Sequence, residues 1–160
     1  MIIGILGDTH DRVENMIAGM KMLRDGGAEF YMHCGDVGGE KVIDQLAGLP
    51  AAIVWGNNDW DRGALTQYAE KLAIAVFQTV GDIELDGKRF ALTHGDDYHA
   101  VKKIFDEQQY DYLLMGHSHA RLDKRMGRMR VINPGALYRT SQKSVALLDT
   151  STDVLKFLNV

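Results

Sequence analysis

Apolar and polar positions divide the first part of the chain into strand-like and helix-like segments. Ile2–Leu6 carries no charge and has the length of a strand, which predicts a strand buried on both faces. A helix is predicted next from apolar side chains at helical spacing, at Val13, Ile17, Met20 and Leu23. Asp11 and Glu14 resemble a capping box that begins this helix, and Gly26-Gly27 ends it.

The alternation continues to residue 71 and then changes. Strands over 29–34 and 51–55 alternate with helices over 40–47 and 62–71, and this order predicts a largely parallel sheet. Asp86-Gly87 is a strong hairpin signal between two further strands. The later predicted elements are strands over 74–77, 80–85 and 89–93, a helix over 98–108, a strand over 112–115, and antiparallel strands over 121–125, 129–132, 144–148 and 154–158.

These elements predict one α+β domain over residues 1–160, in which two mixed sheets pack face to face between outer helices in a four-layer αββα sandwich. Hydrophobic residues make up 46% and charged residues 25% of the 160 residues, as in ordinary globular proteins. The net charge of −4 gives no indication of broad nucleic-acid or membrane binding. A single cysteine, Cys34, fits a reducing compartment, and without a signal-like or membrane-spanning stretch we expect a cytoplasmic protein.

Side chains that can bind metal follow five of the predicted strands at the point where each strand ends. They are Asp8 and His10, Asp36, Asn57 and Asn58, His94, and His117 and His119. If the strand ends converge at one edge, these oxygen and nitrogen donors suit borderline or hard divalent cations such as Mn, Fe, Zn, Ni or Co. No cysteine stands among them, which argues against a structural zinc site. A carboxylate such as Asp36 can bridge two cations, an arrangement suited to phosphate esters.

The motifs together resemble the calcineurin-like metallophosphoesterase superfamily, and in length and placement its small single-domain phosphodiesterase branch, which also includes relatives of a retromer subunit. The matching blocks are Asp8-Thr9-His10, Gly35-Asp36, Gly56-Asn57-Asn58-Asp59, Thr93-His94-Gly95 and Gly116-His117-Ser118-His119. Asn133-Pro134-Gly135 also matches that branch.

The resemblance implies the metallophosphoesterase fold and two divalent metal ions, with Mn favoured and Fe, Ni, Zn or Co as alternatives. The first ion is expected on Asp8, His10, Asp36 and His119, and the second on Asp36, Asn57, His94 and His117. A hydroxide bridging the ions would attack phosphorus in line, with Asp36, Asn58 and His94 as catalytic residues. The expected partner is a small phosphodiester substrate, and a homo-oligomer is left open.

Asn58 departs from the superfamily pattern, because many members carry a histidine there that helps protonate the leaving group. An amide has no proton to give in this pH range. We therefore expect substrates with good leaving groups, such as aryl phosphodiesters, or a proton from metal-bound water. Two alternative functions stay open: a non-catalytic scaffold with the same fold, and a phosphomonoesterase or nucleotide hydrolase.

Several other polar or aromatic residues have two interpretations. Asp96 either caps the helix near residue 98, which we favour, or orients a ligand imidazole. We expect His33 to be a satisfied core histidine and Arg121 to face solvent, with a phosphate contact as the alternative for Arg121. Asn133 is a candidate to support the site. For Trp60 we expect core or rim packing, with stacking on an aromatic leaving group as the alternative.

Overall fold

The computed structural model describes residues 1–160 and contains eleven strands and four helices. The strands are β1 Ile2–Leu6, β2 Phe30–His33, β3 Ala51–Val54, β4 Ala75–Phe77, β5 Val80–Leu85, β6 Lys88–Thr93, β7 Tyr112–Leu114, β8 Arg121–Met126, β9 Met129–Pro134, β10 Ser144–Asp149 and β11 Val154–Asn159. The helices are α1 Val13–Asp25, α2 Glu40–Ile43, α3 Arg62–Lys71 and α4 Tyr98–Glu107. A 3₁₀ turn over Asp44–Leu46 extends α2, where the sequence predicted one longer helix.

The strands form two mixed sheets. The first has the order β11-β10-β1-β2-β3-β4, in which β1 to β4 are parallel and β10 pairs antiparallel with both its neighbours. The second has the order β5-β6-β7-β9-β8. The prediction that the last four strands are purely antiparallel is wrong for β9, which pairs antiparallel with β8 but parallel with β7. The chain passes from β7 to the edge strand β8 and then turns back through a hairpin, which places β9 between β7 and β8.

Three apolar cores separate four layers, which confirms the predicted sandwich. The largest lies between the first sheet and α1, α2 and α3, and contains Met20, Val42 and Leu65. The second lies between the sheets, where Ile5 of β1 and Phe90 of β6 are fully buried. A smaller core packs α4 on the outer face of the second sheet. No helix is long and apolar enough to cross a membrane.

The predicted start and inner face of α1 need correction. Asp11 does not cap the helix, because its φ of +61° is outside the extended region that a cap residue occupies; its backbone N–H instead donates to the carbonyl of Val37. The buried face is formed by Met16, Gly19, Met20 and Leu23, whereas Ile17 is exposed. A Cβ at Gly19 would lie 3.0 Å from Val145, so glycine allows this face to approach β10 closely.

The helix α4 begins one residue later than the predicted cap requires. Asp97, not Asp96, is the cap residue, and its Oδ1 accepts a hydrogen bond of 3.0 Å from the backbone N–H of Ala100. Asp97 has extended backbone angles directly before Tyr98, so its carboxylate reaches the third helical N–H. Asp96 is exposed.

Candidate metal centre

The loops that follow five strands meet at one edge of the sandwich. β1, β2 and β3 are neighbours in the first sheet, so the loops after them lie side by side; β6 and β7 are neighbours in the second. The backbone joins the loops across the two sheets as well as within them: the N–H of Asp8 donates to Gly35 in the first sheet, and the carbonyl of Cys34 accepts from a ring nitrogen of His94 in the second. All seven predicted ligand residues stand in this cluster of loops.

Asp36 lies at the centre of one half of the cluster. Its Oδ2 is 3.4 Å from Nε2 of His10 and 3.4 Å from Nε2 of His94. The same His94 nitrogen lies 3.1 Å from Oδ1 of Asn57. Asp36 thus stands between a histidine of each predicted ligand set, which is the position that a bridging carboxylate requires.

Asp8 connects the remaining ligand residues. Its Oδ1 is 3.2 Å from Nε2 of His119, and its Oδ2 accepts a hydrogen bond of 3.1 Å from the backbone N–H of His117. The His117 ring meets the His94 ring edge-on, with 5.1 Å between centroids. The cluster is therefore continuous from His119 through Asp8 to His117 and His94.

The donor set fits divalent cations. Asp8, His10 and His119 each offer a ligand atom within 4.8 Å of the others, and so do Asp8, Asp36 and His94. Oδ1 of Asp8 and Nε2 of His10 are buried without a hydrogen-bond partner, as expected for atoms that bind an ion. The second group mixes members of both predicted ligand sets, so the division into two four-residue sets stays a prediction.

A backbone hydrogen bond holds the His94 ring in one orientation, with Nε2 available to bind a metal ion. Its Nδ1 lies 2.8 Å from the backbone carbonyl of Cys34, and since a carbonyl only accepts, Nδ1 carries a proton. Nε2 then faces only oxygen atoms, those of Asp36 and Asn57. An imidazole nitrogen and two oxygens directed at one point suit a shared cation, and a backbone partner on the other nitrogen is the usual way to orient a metal-binding histidine.

Five of the seven residues occupy left-handed backbone conformations. Asp8, His10, Asp36, His117 and His119 have φ between 47° and 67°. Such conformations are uncommon outside glycine, although Asp, Asn and His tolerate them best. Backbone hydrogen bonds between the loops hold them in place, including His10 N–H to Asp36 O at 2.9 Å and Gly116 N–H to His94 O at 3.0 Å.

Two glycines allow the loops to approach this closely. A Cβ on Gly56 would lie 2.5 Å from the backbone nitrogen of Asp36 and closer still to its Oδ1. A Cβ on Gly116 would lie 2.8 Å from the carbonyl oxygen of Cys34 and 2.9 Å from Oδ2 of Asp8. Neither glycine has a left-handed φ, so backbone conformation does not require glycine here. Glycine is required because any side chain would collide with the neighbouring carboxylate.

Burial and hydrogen bonding shift the pKa values of the Asp8 and Asp36 carboxylates in opposite directions. Burial raises the pKa of Asp8 to about 6, against the opposing charges of His94 and His119. Burial would also raise the pKa of Asp36, but hydrogen bonds from His94 and Asn58 lower it well below its usual range. Burial lowers the pKa of His94, and its bonds to Asp36 and Cys34 more than offset this and raise it. Asp8 and His94 therefore bind protons more tightly than free side chains do, and a bound cation would compete with those protons.

Asn58 has a role that its sequence position did not reveal. Its backbone N–H and its Nδ2 donate to the two oxygens of Asp36, each at 2.8 Å. Its role as a catalytic residue stays a prediction. Asn133, predicted to support the site, donates from Nδ2 to the carbonyl of Gly116 at 2.7 Å and to Ser118 at 3.1 Å, and so holds the loop that carries His117 and His119.

His33 is buried in the core as the sequence predicts, and it supports the first loop. The prediction that its hydrogen bonds are satisfied is wrong for Nδ1, which has no partner. Its Nε2 lies 2.7 Å from Oγ1 of Thr9, which stands between Asp8 and His10. Burial lowers the pKa of His33 to about 3. The imidazole is therefore neutral in the folded protein.

This burial makes stability depend on pH. The unfolded chain binds the His33 proton near pH 6.5 and the folded chain only near pH 3, so the stabilisation present above pH 6.5 is lost as pH falls toward 3. In metal-free protein we expect His33 alone to lower the free energy of unfolding by about 2 kcal/mol between pH 7 and pH 5. Urea unfolding of wild type and His33→Gln at both values measures this difference.

His99→Gln, which removes an exposed histidine from α4, is the matched control and should keep the wild-type pH dependence. An equally steep fall in stability in His33→Gln would contradict the assignment.

A cavity of about 300 Å³ opens beside the cluster, with an aromatic side chain on each side. It is lined by His10, Asp11, Asp36, Gly38, Asn58, Asp59, Trp60, Tyr138 and Arg139. Trp60 is 87% exposed, so the expectation that it packs in the core or rim is wrong; Trp55 is the buried tryptophan. Sequence reasoning missed Tyr138, whose ring centroid lies 5.4 Å from that of His10. Arg121 does not reach the cluster, because its guanidinium lies over Phe157 and bonds to Asn159.

Residues 1–153 match the calcineurin-like phosphoesterase superfamily domain, and the chain belongs to this family. It is 31% identical over 155 residues to phosphodiesterase MJ0936 of Methanocaldococcus jannaschii, an alignment that covers 94% of this chain and 93% of that protein. It is 28% identical over 159 residues to a probable metallophosphoesterase of Methanothermobacter thermautotrophicus, covering 92% and 85% of the two chains.

Solved structures share the whole fold. A structure described as a novel archaeal phosphodiesterase superposes with a TM-score of 0.92 at 27% identity and full coverage of both chains. Vps29 of Entamoeba histolytica complexed with Zn²⁺ superposes with a TM-score of 0.68 at 20% identity, covering 100% of this chain and 98% of that one. The metallophosphoesterase fold is therefore confirmed.

Proposed function

We propose that this protein is a phosphodiesterase that uses two divalent metal ions to hydrolyse small phosphodiesters. The observation that carries the proposal is the position of Asp36, whose Oδ2 lies 3.4 Å from a histidine on each side. The relative named phosphodiesterase MJ0936 supports the choice of a diester. Mn²⁺ is the proposed ion because the family resemblance favours it, and the same oxygen and imidazole donors also suit Fe, Ni, Zn and Co.

Two ions, when bound, supply a nucleophile at neutral pH and neutralise charge on the attacking and leaving oxygens of an in-line displacement. The chain's own residues hold that arrangement in place. Asn58 orients Asp36 through two hydrogen bonds, and Cys34 fixes the ring of His94. Asn58 offers no proton to the leaving group, so we propose that substrates with acidic leaving groups react fastest.

The scaffold alternative has less support. A protein that serves only as a binding surface has no need of buried Asp8 and His10 atoms without hydrogen-bond partners. A monoesterase would use the same cluster, and substrate comparison separates it from a diesterase.

The test measures hydrolysis of bis(p-nitrophenyl) phosphate and of p-nitrophenyl phosphate by purified protein, together with its metal content. We expect about two ions per chain and faster hydrolysis of the diester. EDTA should lower the rate by at least about a hundredfold, and added Mn²⁺ should restore it, because the ions supply the nucleophile. Absence of bound metal and of hydrolysis with Mn, Fe, Ni, Zn and Co would favour the scaffold.

A further inference from the structure

Two arginines flank an aromatic ring at the rim of the cavity. Nη2 of Arg12 donates a hydrogen bond of 2.9 Å to the hydroxyl of Tyr138, and its guanidinium carbon lies 4.4 Å from the ring centroid. The guanidinium of Arg139 lies 5.4 Å from the same centroid. Cation–π contacts of this kind hold both guanidinium groups beside the same ring.

Neither of these arginines has an acidic partner, in contrast to four other arginines of the chain. Arg89, Arg125, Arg128 and Arg130 each form an ion pair with an aspartate. Arg12 and Arg139 form none. Asp59, which lines the same cavity, accepts backbone hydrogen bonds from Gly38 and Gly56 instead. Arg139 lines the cavity, and Arg12 contacts Tyr138, which also lines it, so this side carries two guanidinium groups that form no ion pair. The exposed carboxylate of Asp11 lines the cavity as well.

These charges lie beside the metal cluster. Tyr138 and Arg139 line the cavity together with Asp36 and Asn58. Tyr138 contacts His10, and His10 belongs to the loop after β1. Trp60 belongs to the loop between β3 and α3. Since β2 lies between β1 and β3, the arginine side and the tryptophan side are on opposite flanks of Asp36. A diester at the cluster would extend one of its two groups toward the arginines.

We propose that Arg12 and Arg139 form a subsite for a second phosphate group of the substrate, on the side of the scissile ester away from Trp60. This inference rests on the proposed function. The scissile diester carries one negative charge, which the metal ions neutralise, so two further cations indicate another anion. A guanidinium fork matches phosphate oxygens, and a dianionic phosphate can accept from both forks at once. The preferred substrate class is then a phosphodiester that also carries a terminal phosphate.

The test compares binding of thymidine 5′-phosphate and thymidine 3′,5′-bisphosphate by calorimetry, with and without Mn²⁺. The two probes share base and sugar and differ in one phosphate. We expect the bisphosphate to bind wild type about tenfold more tightly, the effect of one added charged hydrogen-bonding group. Arg12→Gln and Arg139→Gln should each reduce this preference, and the double variant should bring it within about twofold. Arg24→Gln, which removes an exposed arginine of α1, should keep it.

Equal affinity of wild type for the two nucleotides would overturn the subsite, and so would an equal loss of preference in Arg24→Gln, which would indicate only general surface charge. Failure of the proposed function has a different signature. If no diester is hydrolysed but the arginine-dependent preference persists, the subsite stands and the hydrolase assignment falls. If diesters are hydrolysed but wild type shows no arginine-dependent preference for the bisphosphate, the hydrolase assignment stands and the subsite falls.

Discussion

Replacing Asp36 with asparagine should lower kcat/KM for bis(p-nitrophenyl) phosphate at least about a thousandfold, a loss of about 4 kcal/mol of transition-state stabilisation. The carboxylate is 2% exposed and faces His10 and His94 with one oxygen. An amide keeps the shape but removes the negative charge that both proposed ions share. Elemental analysis of Asp36→Asn should show the loss of at least one ion per chain, and circular dichroism should show an intact fold.

Asp96→Asn is the matched control, because it neutralises an exposed aspartate near the loop that carries His94. It should keep metal content and turnover at wild-type levels. Near-normal turnover of Asp36→Asn with a full complement of metal would remove Asp36 from its bridging position.

The second large effect is expected from Gly56→Ala. The new methyl group would lie 2.5 Å from the backbone nitrogen of Asp36, so either the loop after β2 or the loop after β3 has to move. Overpacking of this kind costs about 1–3 kcal/mol of stability. Because Asp36 and Asn57 sit in these two loops, we also expect kcat/KM to fall by at least about tenfold, since small displacements of positioned groups are costly.

Gly63→Ala provides the comparison. Gly63 lies in the first turn of α3 with no atom close to an added methyl group. This variant should keep full activity and be as stable as wild type or more stable by up to about 1 kcal/mol, as alanine is the better helix former. If Gly56→Ala unfolds at the same urea concentration as Gly63→Ala and turns over substrate equally well, the close approach of the two loops contributes neither to stability nor to activity.

The sequence predicts the order of the elements and the residues at the strand ends because both depend on local pattern. An uncharged run such as Ile2–Leu6 that stops at Asp8 locates a strand and its end at once. The four layers follow from the change between parallel and hairpin patterns. The seven donor residues could therefore be named before their distances were known.

The errors arise where the outcome depends on single backbone angles or on contacts between distant segments. Asp11 has the residue type of a helix cap but a left-handed φ, and Asp97 rather than its neighbour Asp96 precedes the first helical residue. The bond between Arg12 and Tyr138 joins residues 126 positions apart and exists only because the loops after β1 and before β10 meet. Local pattern carries no information about such contacts.

The left-handed conformations in the ligand loops affect how amino acids can be exchanged over evolutionary time. At Asp8, His10, Asp36, His117 and His119 the backbone itself favours Asp, Asn, His or Gly, whether or not metal chemistry is under selection. A descendant that lost catalysis would still be driven to keep such residues at these five positions. His94 and Asn57 have no such backbone requirement, so the backbone conformation would not preserve them once the chemistry is abandoned. Retention of His94 and Asn57 in a lineage is therefore stronger evidence of activity than retention of the five residues with left-handed backbones.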